Sequence, residues 1–203
     1  MTNAIILAAG LGSRLSPLTK DKPKSLIEFG KKTLLERIVE IFRKYGIDDI
    51  SIVTGYKKEK INLPNITYFE NKNYRENSTL SSLFCAQKKI SESTIITYSD
   101  IIFQENILKK LLDADYDISA VVDRKWIDYW KFRTGESIHD ATETAIFNEK
   151  NMIISIGEKN PHANGHFIGL MKLQNTGSEK FQEIYFKTRQ NCINNKNELN
   201  KNL

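Results

Sequence analysis

Apolar residues fall in short blocks along this chain, and the spacing within the blocks alternates between two rhythms. Ala4-Ile5-Ile6-Leu7-Ala8-Ala9 is an unbroken apolar run, which suits a strand covered on both faces. Thr33-Leu34-Leu35-Glu36 reads as a capping box, in which the threonine hydroxyl and the glutamate each serve a backbone N–H that a helix start leaves unpaired. Behind it Leu34, Leu35, Ile38, Val39, Ile41, Phe42 and Tyr45 share one broad helical face, and Gly46 is placed to end the helix. Ile50 to Thr54 is the next strand, with Gly55 after it. A strand, a helix and a strand in this span make a βαβ unit, and hence a parallel pair.

The rhythm continues more loosely. Strands are predicted over Ile66 to Glu70, Thr94 to Ser99 and Ile118 to Val122, with helices over Ser78 to Lys89 and Glu105 to Leu112. In the first of these helices Leu80, Leu83, Phe84 and Ala86 are expected to face inward. From Ala141 onward short strands take over: Thr144 to Phe147, Met152 to Ile156 and Phe167 to Leu173. A last amphipathic helix is predicted from about Ser178 to Thr188. The expected fold is therefore α/β: a Rossmann-like three-layer sandwich with a mostly parallel mixed sheet and a small antiparallel addition. One domain is expected over residues 1–189. A tail over 190–203, with six asparagines in 14 residues, has little to bury and is expected to fray or be disordered.

Composition narrows the class. The 203 residues are 40% hydrophobic and 27% charged, ordinary for a globular chain and unlike a disordered, collagen-like or disulfide-framed one. No apolar run approaches the ~18 residues of a membrane span. No basic stretch precedes the run at Ala4, so a secretory leader is not expected. Cys85 and Cys192 stand far apart and read as free thiols of a reducing cytoplasm, the first as a small core residue and the second as an incidental tail residue. The net charge of +5 is concentrated locally: from Arg14 to Lys32 there are six basic residues and two acidic ones. A cationic loop suits a small polyanionic ligand, whereas a nucleic-acid binder more often shows a long basic face with interleaved aromatics. No nucleic-acid partner is expected.

That loop, Leu7 to Leu26, holds the most informative pattern. The first strand ends at Ala9 and the chain turns through Gly10 and Gly12, where N–H groups can approach an anion without a Cβ in the way. Arg14 and Lys24 supply cations, and Pro17 and Pro23 stiffen the segment that carries them. A Walker A loop is excluded because no Gly-Lys-Ser/Thr ending is present. A dinucleotide fingerprint fits poorly, since Leu15 occupies its third glycine position. The ordered set Leu7-Ala8-Ala9-Gly10, Gly12, Ser13, Arg14, Pro17-Leu18-Thr19 and Pro23-Lys24 resembles the nucleoside-triphosphate transferase family, which includes sugar-1-phosphate nucleotidyltransferases and phosphocholine cytidylyltransferases. The resemblance extends through Tyr74 to Ala86 and Tyr98-Ser99-Asp100-Ile101-Ile102-Phe103. Segments over Val122 to Arg133, Asp140 to Glu143, Gly157-Glu158-Lys159 and Gly165 to Leu170 resemble the phosphocholine and phosphonate cytidylyltransferase branch.

The resemblance implies transfer of a nucleoside monophosphate, CMP favoured, from a triphosphate to a small phosphorylated or phosphonate acceptor, with release of pyrophosphate. It assigns Arg14 to the β- and γ-phosphates and Lys24 to the region between the α-phosphate and the acceptor. Leu7, Ala8, Ala9, Gly10, Gly12, Ser13, Asn77 and Ser78 are the implied nucleotide contacts, although Asn77 could equally cap the helix beside it. Asp100 is the implied ligand for Mg²⁺, the expected cofactor; its alternative is a helix N-cap. Asp123, Trp126, Trp130, Lys159 and His166 are candidates for the acceptor. With Tyr129, the tryptophans read either as a cation cage or as a hydrophobic lid, and Lys159 as a phosphate contact or a turn residue. His139, His162 and His166 are read as surface or loop residues, with His166 a possible pocket wall.

Relatives carry a C-terminal strand with a tryptophan and aspartates, one of which completes the metal site; this segment is not found here. Asp100 with solvent, or Glu143 or Glu158 in substitution, is then the implied metal arrangement. A sugar-1-phosphate nucleotidyltransferase, and a nucleotide-binding module with little turnover, stand as alternatives. A homodimer is compatible with the sequence.

Overall fold

The computed structural model describes residues 1–76, 78–132, 141, 143–157, 160 and 162–201. Asn77, Glu158, Lys159 and the segment 133–140 lie outside the described residues. In chain order the elements are β1 (Asn3–Ala8), a small hairpin of β2 (Glu28–Phe29) and β3 (Lys32–Thr33), α1 (Leu34–Lys44), β4 (Ile50–Thr54), β5 (Thr67–Glu70), α2 (Thr79–Cys85), β6 (Ser93–Tyr98), α3 (Glu105–Asp113), β7 (Ile118–Asp123), α4 (Trp126–Lys131), β8 (Thr144–Phe147), β9 (Ile153–Ile156), β10 (Gly165–Gln174) and α5 (Thr176–Lys201).

Eight strands form the main sheet, and β5, β4, β1 and β6 lie side by side in parallel. β10 then runs antiparallel to β6. Met171 faces Ile96 on one side and Ala120 on the other, while His166 faces both Asp123 and Thr144. β6 and β8 therefore share one edge of β10, and β7 takes the opposite edge. β9 pairs antiparallel with β8. This is the expected mixed, mostly parallel sheet with an antiparallel addition.

The apolar run of β1 follows from its central place. Ala4, Ile6 and Ala8 pack with Leu35, Ile38, Val39 and Phe42 of α1 and with Leu108 and Leu111 of α3. Ile5, on the other face, packs with Leu83 and Phe84 of α2 and with Phe181 and Tyr185 of α5. Helices thus cover both faces, giving three layers, and the strand is apolar from Ala4 onward, with the buried Asn3 hydrogen-bonded to the Lys89 carbonyl. The capping box forms as predicted: Glu36 N–H donates to Thr33 Oγ1 at 3.2 Å, and Thr33 N–H donates to Glu36 Oε2 at 2.7 Å. From β1 the chain crosses to β4 on one side and later returns to β6 on the other. A doubly wound sheet opens a ligand crevice at that point, at the C-terminal strand ends.

Several expectations change. Leu80 is 43% exposed, because α2 turns Leu83, Phe84 and Ala86 inward and leaves Leu80 on the wall of a cleft. Cys85 is exposed rather than part of the core. The last helix does not stop near Thr188 but continues to Lys201; no glycine or proline interrupts residues 178–201. His166 lies within β10 rather than in a loop. Among the described residues no helix is long and apolar enough to cross a membrane.

Lys172 was not singled out by sequence. It points from β10 into the layer beside α3, is 2% exposed, and its Nζ donates to the carbonyls of Leu112, at 3.1 Å, and Ala114. These are carbonyls at a helix end that no intrahelical N–H reaches. Burial lowers the Lys172 pKa from the ordinary lysine value, opposed by the nearby Asp115 and Asp113 charges. Lys172→Met removes both bonds and should destabilise the fold by about 1–3 kcal/mol at pH 7. Between the folded pKa and that of the unfolded chain, the unfolded state binds more protons, so the lysine contributes more stability as pH rises. The difference between wild type and Lys172→Met in urea denaturation should therefore move in favour of wild type on the alkaline side, up to about pH 10.4. A gap that is flat with pH would show that the amine does not titrate differently in the two states.

Candidate active site

The loop after β1 is folded back on itself. Gly12 adopts a left-handed φ of 65° and precedes a 3-10 turn over Ser13–Leu15. Its carbonyl accepts from Thr19 Oγ1 at 2.9 Å and from Leu15 N–H at 3.0 Å. A Cβ at Gly12 would stand 3.0 Å from Lys24 Cβ and 3.1 Å from Thr19 Cγ2, so a side chain there would separate the two halves of the loop. Gly10 differs: a Cβ there would meet nothing within 4 Å. The space in front of Gly10 is free, with the main chain exposed to it.

Tyr56, just past β4, holds the loop from outside. Its hydroxyl donates to the Lys20 carbonyl at 2.7 Å and its N–H donates to the Ala9 carbonyl at 3.1 Å. Thr19 and Tyr56 are the loop's clamps. Thr19 belongs to the loop's sequence motif, whereas no local pattern marks Tyr56, which lies 36 residues from its partner.

Lys24 starts a second 3-10 turn, Lys24–Leu26. Its ammonium pairs with the carboxylate of Asp100, in the turn after β6. The Ser99 N–H donates to the Leu7 carbonyl at 3.2 Å, which sets Asp100 beside the end of β1. Asp100 is not a helix cap: α3 begins five residues further on, with Gln104 at its N-cap. The structure thus brings Lys24, Asp100 and the glycine turn together at the switch point of the sheet. Arg14 belongs to the same turn, on the 3-10 segment after Gly12. Ala8 and Ala9 are each 4% exposed, and their side chains lie in opposite core layers, so only their main chain could meet a ligand.

A cleft of about 1090 Å³, large enough for a nucleoside and a small second substrate, is lined by Tyr98, two residues before Asp100 and within reach of its charge, but its described lining holds neither Lys24 nor Asp100 nor the Gly10–Ser13 turn. Leu7, Ser78, Tyr98, Glu143, Phe167 and Gly169 are on its wall. Ser78 also caps α2, its hydroxyl accepting from Ser81 N–H at 3.2 Å. Tyr98 donates its hydroxyl to Glu143 Oε1 at 2.7 Å. Burial raises the pKa of that phenol above the usual tyrosine value, and the hydrogen bond to Glu143 and its charge act in the same direction. Tyr98 is therefore a donor at any working pH. Sequence reasoning gave Tyr98 no role; the two partners are 45 positions apart.

The acceptor candidates fall elsewhere. Trp126 and Trp130 are 4% and 5% exposed. Their rings lie 6.1 Å apart, centroid to centroid, and 5.8 and 5.9 Å from the His166 ring. Successive side chains of β10 point to opposite faces, so His166 turns away from the cleft that Phe167 lines. Asp123 accepts from the Lys125 N–H at 2.8 Å in the turn after β7. None of these four is on the cleft wall.

For a divalent cation the described residues offer Asp100 and no group of three or more His, Cys, Asp or Glu side chains. One half-buried carboxylate beside an open glycine turn fits magnesium, which retains water and shares phosphate oxygens with few protein ligands.

Comparison with known proteins places the chain in a family. The family model of the MobA-like NTP transferase domain matches residues 4–149. The CTP:phosphoglutamine cytidylyltransferase of Campylobacter jejuni is 36% identical over 187 residues, covering 84% of this chain and 72% of that protein. The 2-aminoethylphosphonate cytidylyltransferase of Lancefieldella rimae is 36% identical over 110 residues, 51% of this chain and 45% of that one. The structure of the CTP:phosphocholine cytidylyltransferase of Streptococcus pneumoniae superposes with a TM-score of 0.65 at 23% identity, over 88% of this chain and 73% of that one, and so shares the fold. The chain belongs to the family of the MobA-like NTP transferase domain.

Proposed function

We propose that this chain transfers the cytidylyl group of CTP to a small phosphorylated or phosphonate acceptor and releases pyrophosphate. An oxygen of the acceptor attacks the α-phosphorus in line; the new P–O bond forms as the bond to the pyrophosphate oxygen breaks. The observation that carries this reading is the meeting of Lys24 and Asp100 beside an open glycine turn. The Campylobacter jejuni and Lancefieldella rimae relatives suggest the base and the acceptor class, since both are named for cytidylyl transfer to phosphate- or phosphonate-bearing small molecules.

A phosphomonoester has a second pKa of about 6, so its oxygen is already ionised near neutral pH and needs no general base. What remains is positioning and charge neutralisation. Lys24 is assigned to the anionic oxygens between donor and acceptor. The Gly10–Ser13 main chain offers N–H groups that need no reorganisation. Arg14 is assigned to the leaving pyrophosphate, where a guanidinium can bind two oxygens at once. Asp100 would hold magnesium, which supplies charge neutralisation on the triphosphate when bound.

The test is pyrophosphate release with CTP, UTP, GTP and ATP, each against phosphocholine, 2-aminoethylphosphonate, a phosphorylated amino-acid amide and glucose 1-phosphate. Release is expected with CTP and an acceptor from the first three, and it should be lost in EDTA. Preference for UTP with glucose 1-phosphate would replace the proposal with sugar-nucleotide synthesis. CTP binding without release from any pair would reduce it to a nucleotide-binding module.

A further inference from the structure

The cleft wall carries one carboxylate held in an unusual way. Glu143 has a backbone φ of 63°, a left-handed conformation that is strained for a residue with a Cβ. The Phe167 N–H donates to the Glu143 carbonyl at 2.9 Å and fixes that conformation to β10. One carboxylate oxygen takes the Tyr98 hydroxyl at 2.7 Å. Tyr98 is fixed in turn, lying over Gly169 so closely that a Cβ there would be 2.2 Å from its ring, with the Phe167 ring edge-on at 6.1 Å. Among the described residues no lysine, arginine or histidine forms an ion pair with Glu143. A negative group is thus placed on the wall of a cleft beside aromatic rings, and among the described residues nothing else takes up its remaining oxygen lone pairs.

From this we infer that Glu143, oriented by Tyr98, selects acceptors bearing an ammonium group and is the specificity-determining residue of the cleft. The carboxylate supplies the opposite charge and a hydrogen-bond acceptor, and the Tyr98 and Phe167 rings supply faces and edges against which a substituted ammonium can pack. A neutral acceptor of the same shape leaves the carboxylate desolvated without a partner, so discrimination arises from the cost on the wrong ligand as well as the gain on the right one. Glu143 acts on the ligand; Tyr98 is a positioning residue. This rests on the cytidylyl-transfer reading, because it assigns the other end of that acceptor.

The experiment compares phosphocholine with its uncharged isostere 3,3-dimethylbutyl phosphate, in CTP turnover and in calorimetric binding, for wild type, Glu143→Gln and Tyr98→Phe. Wild type should favour the cation by about 30-fold in kcat/KM and in Kd. Glu143→Gln should bring that ratio to within about threefold, chiefly through the KM for phosphocholine, and Tyr98→Phe should lower it part of the way. Should Glu143→Gln fail to melt cooperatively, the drop in Tyr98→Phe carries the test. The inference is overturned if wild type does not separate the two acceptors, or if both variants keep the full ratio. It is also overturned if Glu143→Gln instead raises the magnesium concentration needed for half-maximal rate, which would make Glu143 a metal ligand. Absence of turnover with either acceptor counts against the cytidylyl-transfer reading, and the binding ratio then still decides the role of Glu143.

Discussion

Lys24→Ala should lower kcat/KM for CTP by about 10²–10³-fold, the range seen when one preorganised donor to developing negative charge is removed. The ammonium of Lys24 stands at the mouth of the glycine turn, on a 3-10 turn that begins right after Pro23. It is already paired with Asp100, so it is oriented before a ligand arrives and little ordering remains to be done on binding. Removing it takes away positive charge where two anionic substrates must approach each other, and leaves the Asp100 carboxylate to repel them. The fold should survive, because both side chains are partly exposed, 31% and 23%, and such pairs contribute no more than about 1 kcal/mol to stability. Arg14→Ala is expected to lose turnover on the same scale. The measurement is steady-state pyrophosphate release at saturating acceptor, with far-ultraviolet circular dichroism as the check on folding. Rates within threefold of wild type in Lys24→Ala would remove Lys24 from the chemistry and leave the ion pair a structural contact.

The largest stability effect is expected at Gly169. Its φ of 84° is left-handed, and a Cβ built on it would lie 2.2 Å from Cδ2 and 2.5 Å from Cγ of Tyr98. Gly169→Ala therefore meets two costs together: strain of about 1–2 kcal/mol at the backbone and overpacking of about 1–3 kcal/mol against a ring that cannot retreat. Tyr98 is tied at its far end to Glu143 and bears on Phe167. A loss of about 2–5 kcal/mol in urea denaturation is expected, with the tyrosine displaced from the carboxylate it orients. A change below about 1 kcal/mol would mean that β10 relaxes around the new methyl group.

Local features were readable along the chain because their causes are local. The run Ala4 to Ala9 is apolar since both its faces are covered, and Thr33 and Glu36 hydrogen-bond over three residues. The glycine turn, Lys24 and Asp100 were readable as a set through resemblance. Trp126, Trp130 and His166 were harder. Aromatic residues grouped in sequence suit a cage and a buried cluster equally well, and the structure closes the two indoles and the imidazole on one another. Leu80 has the spacing of a core residue, yet it borders the cleft, because periodicity shows which residues share a face and not whether that face is covered.

The strand and helix periods, the capping box and the tight turn at Gly12 were determined by the sequence itself, since each depends on residues within one or two turns of chain. Packing alone decided that Tyr98 meets Glu143 across 45 positions, that Lys172 reaches the end of α3, and that the cleft opens on the face lined by Phe167 rather than the one holding His166. These contacts are made only when β10 docks beside β6 and β7, and strand pairing at that distance leaves no local spacing to read.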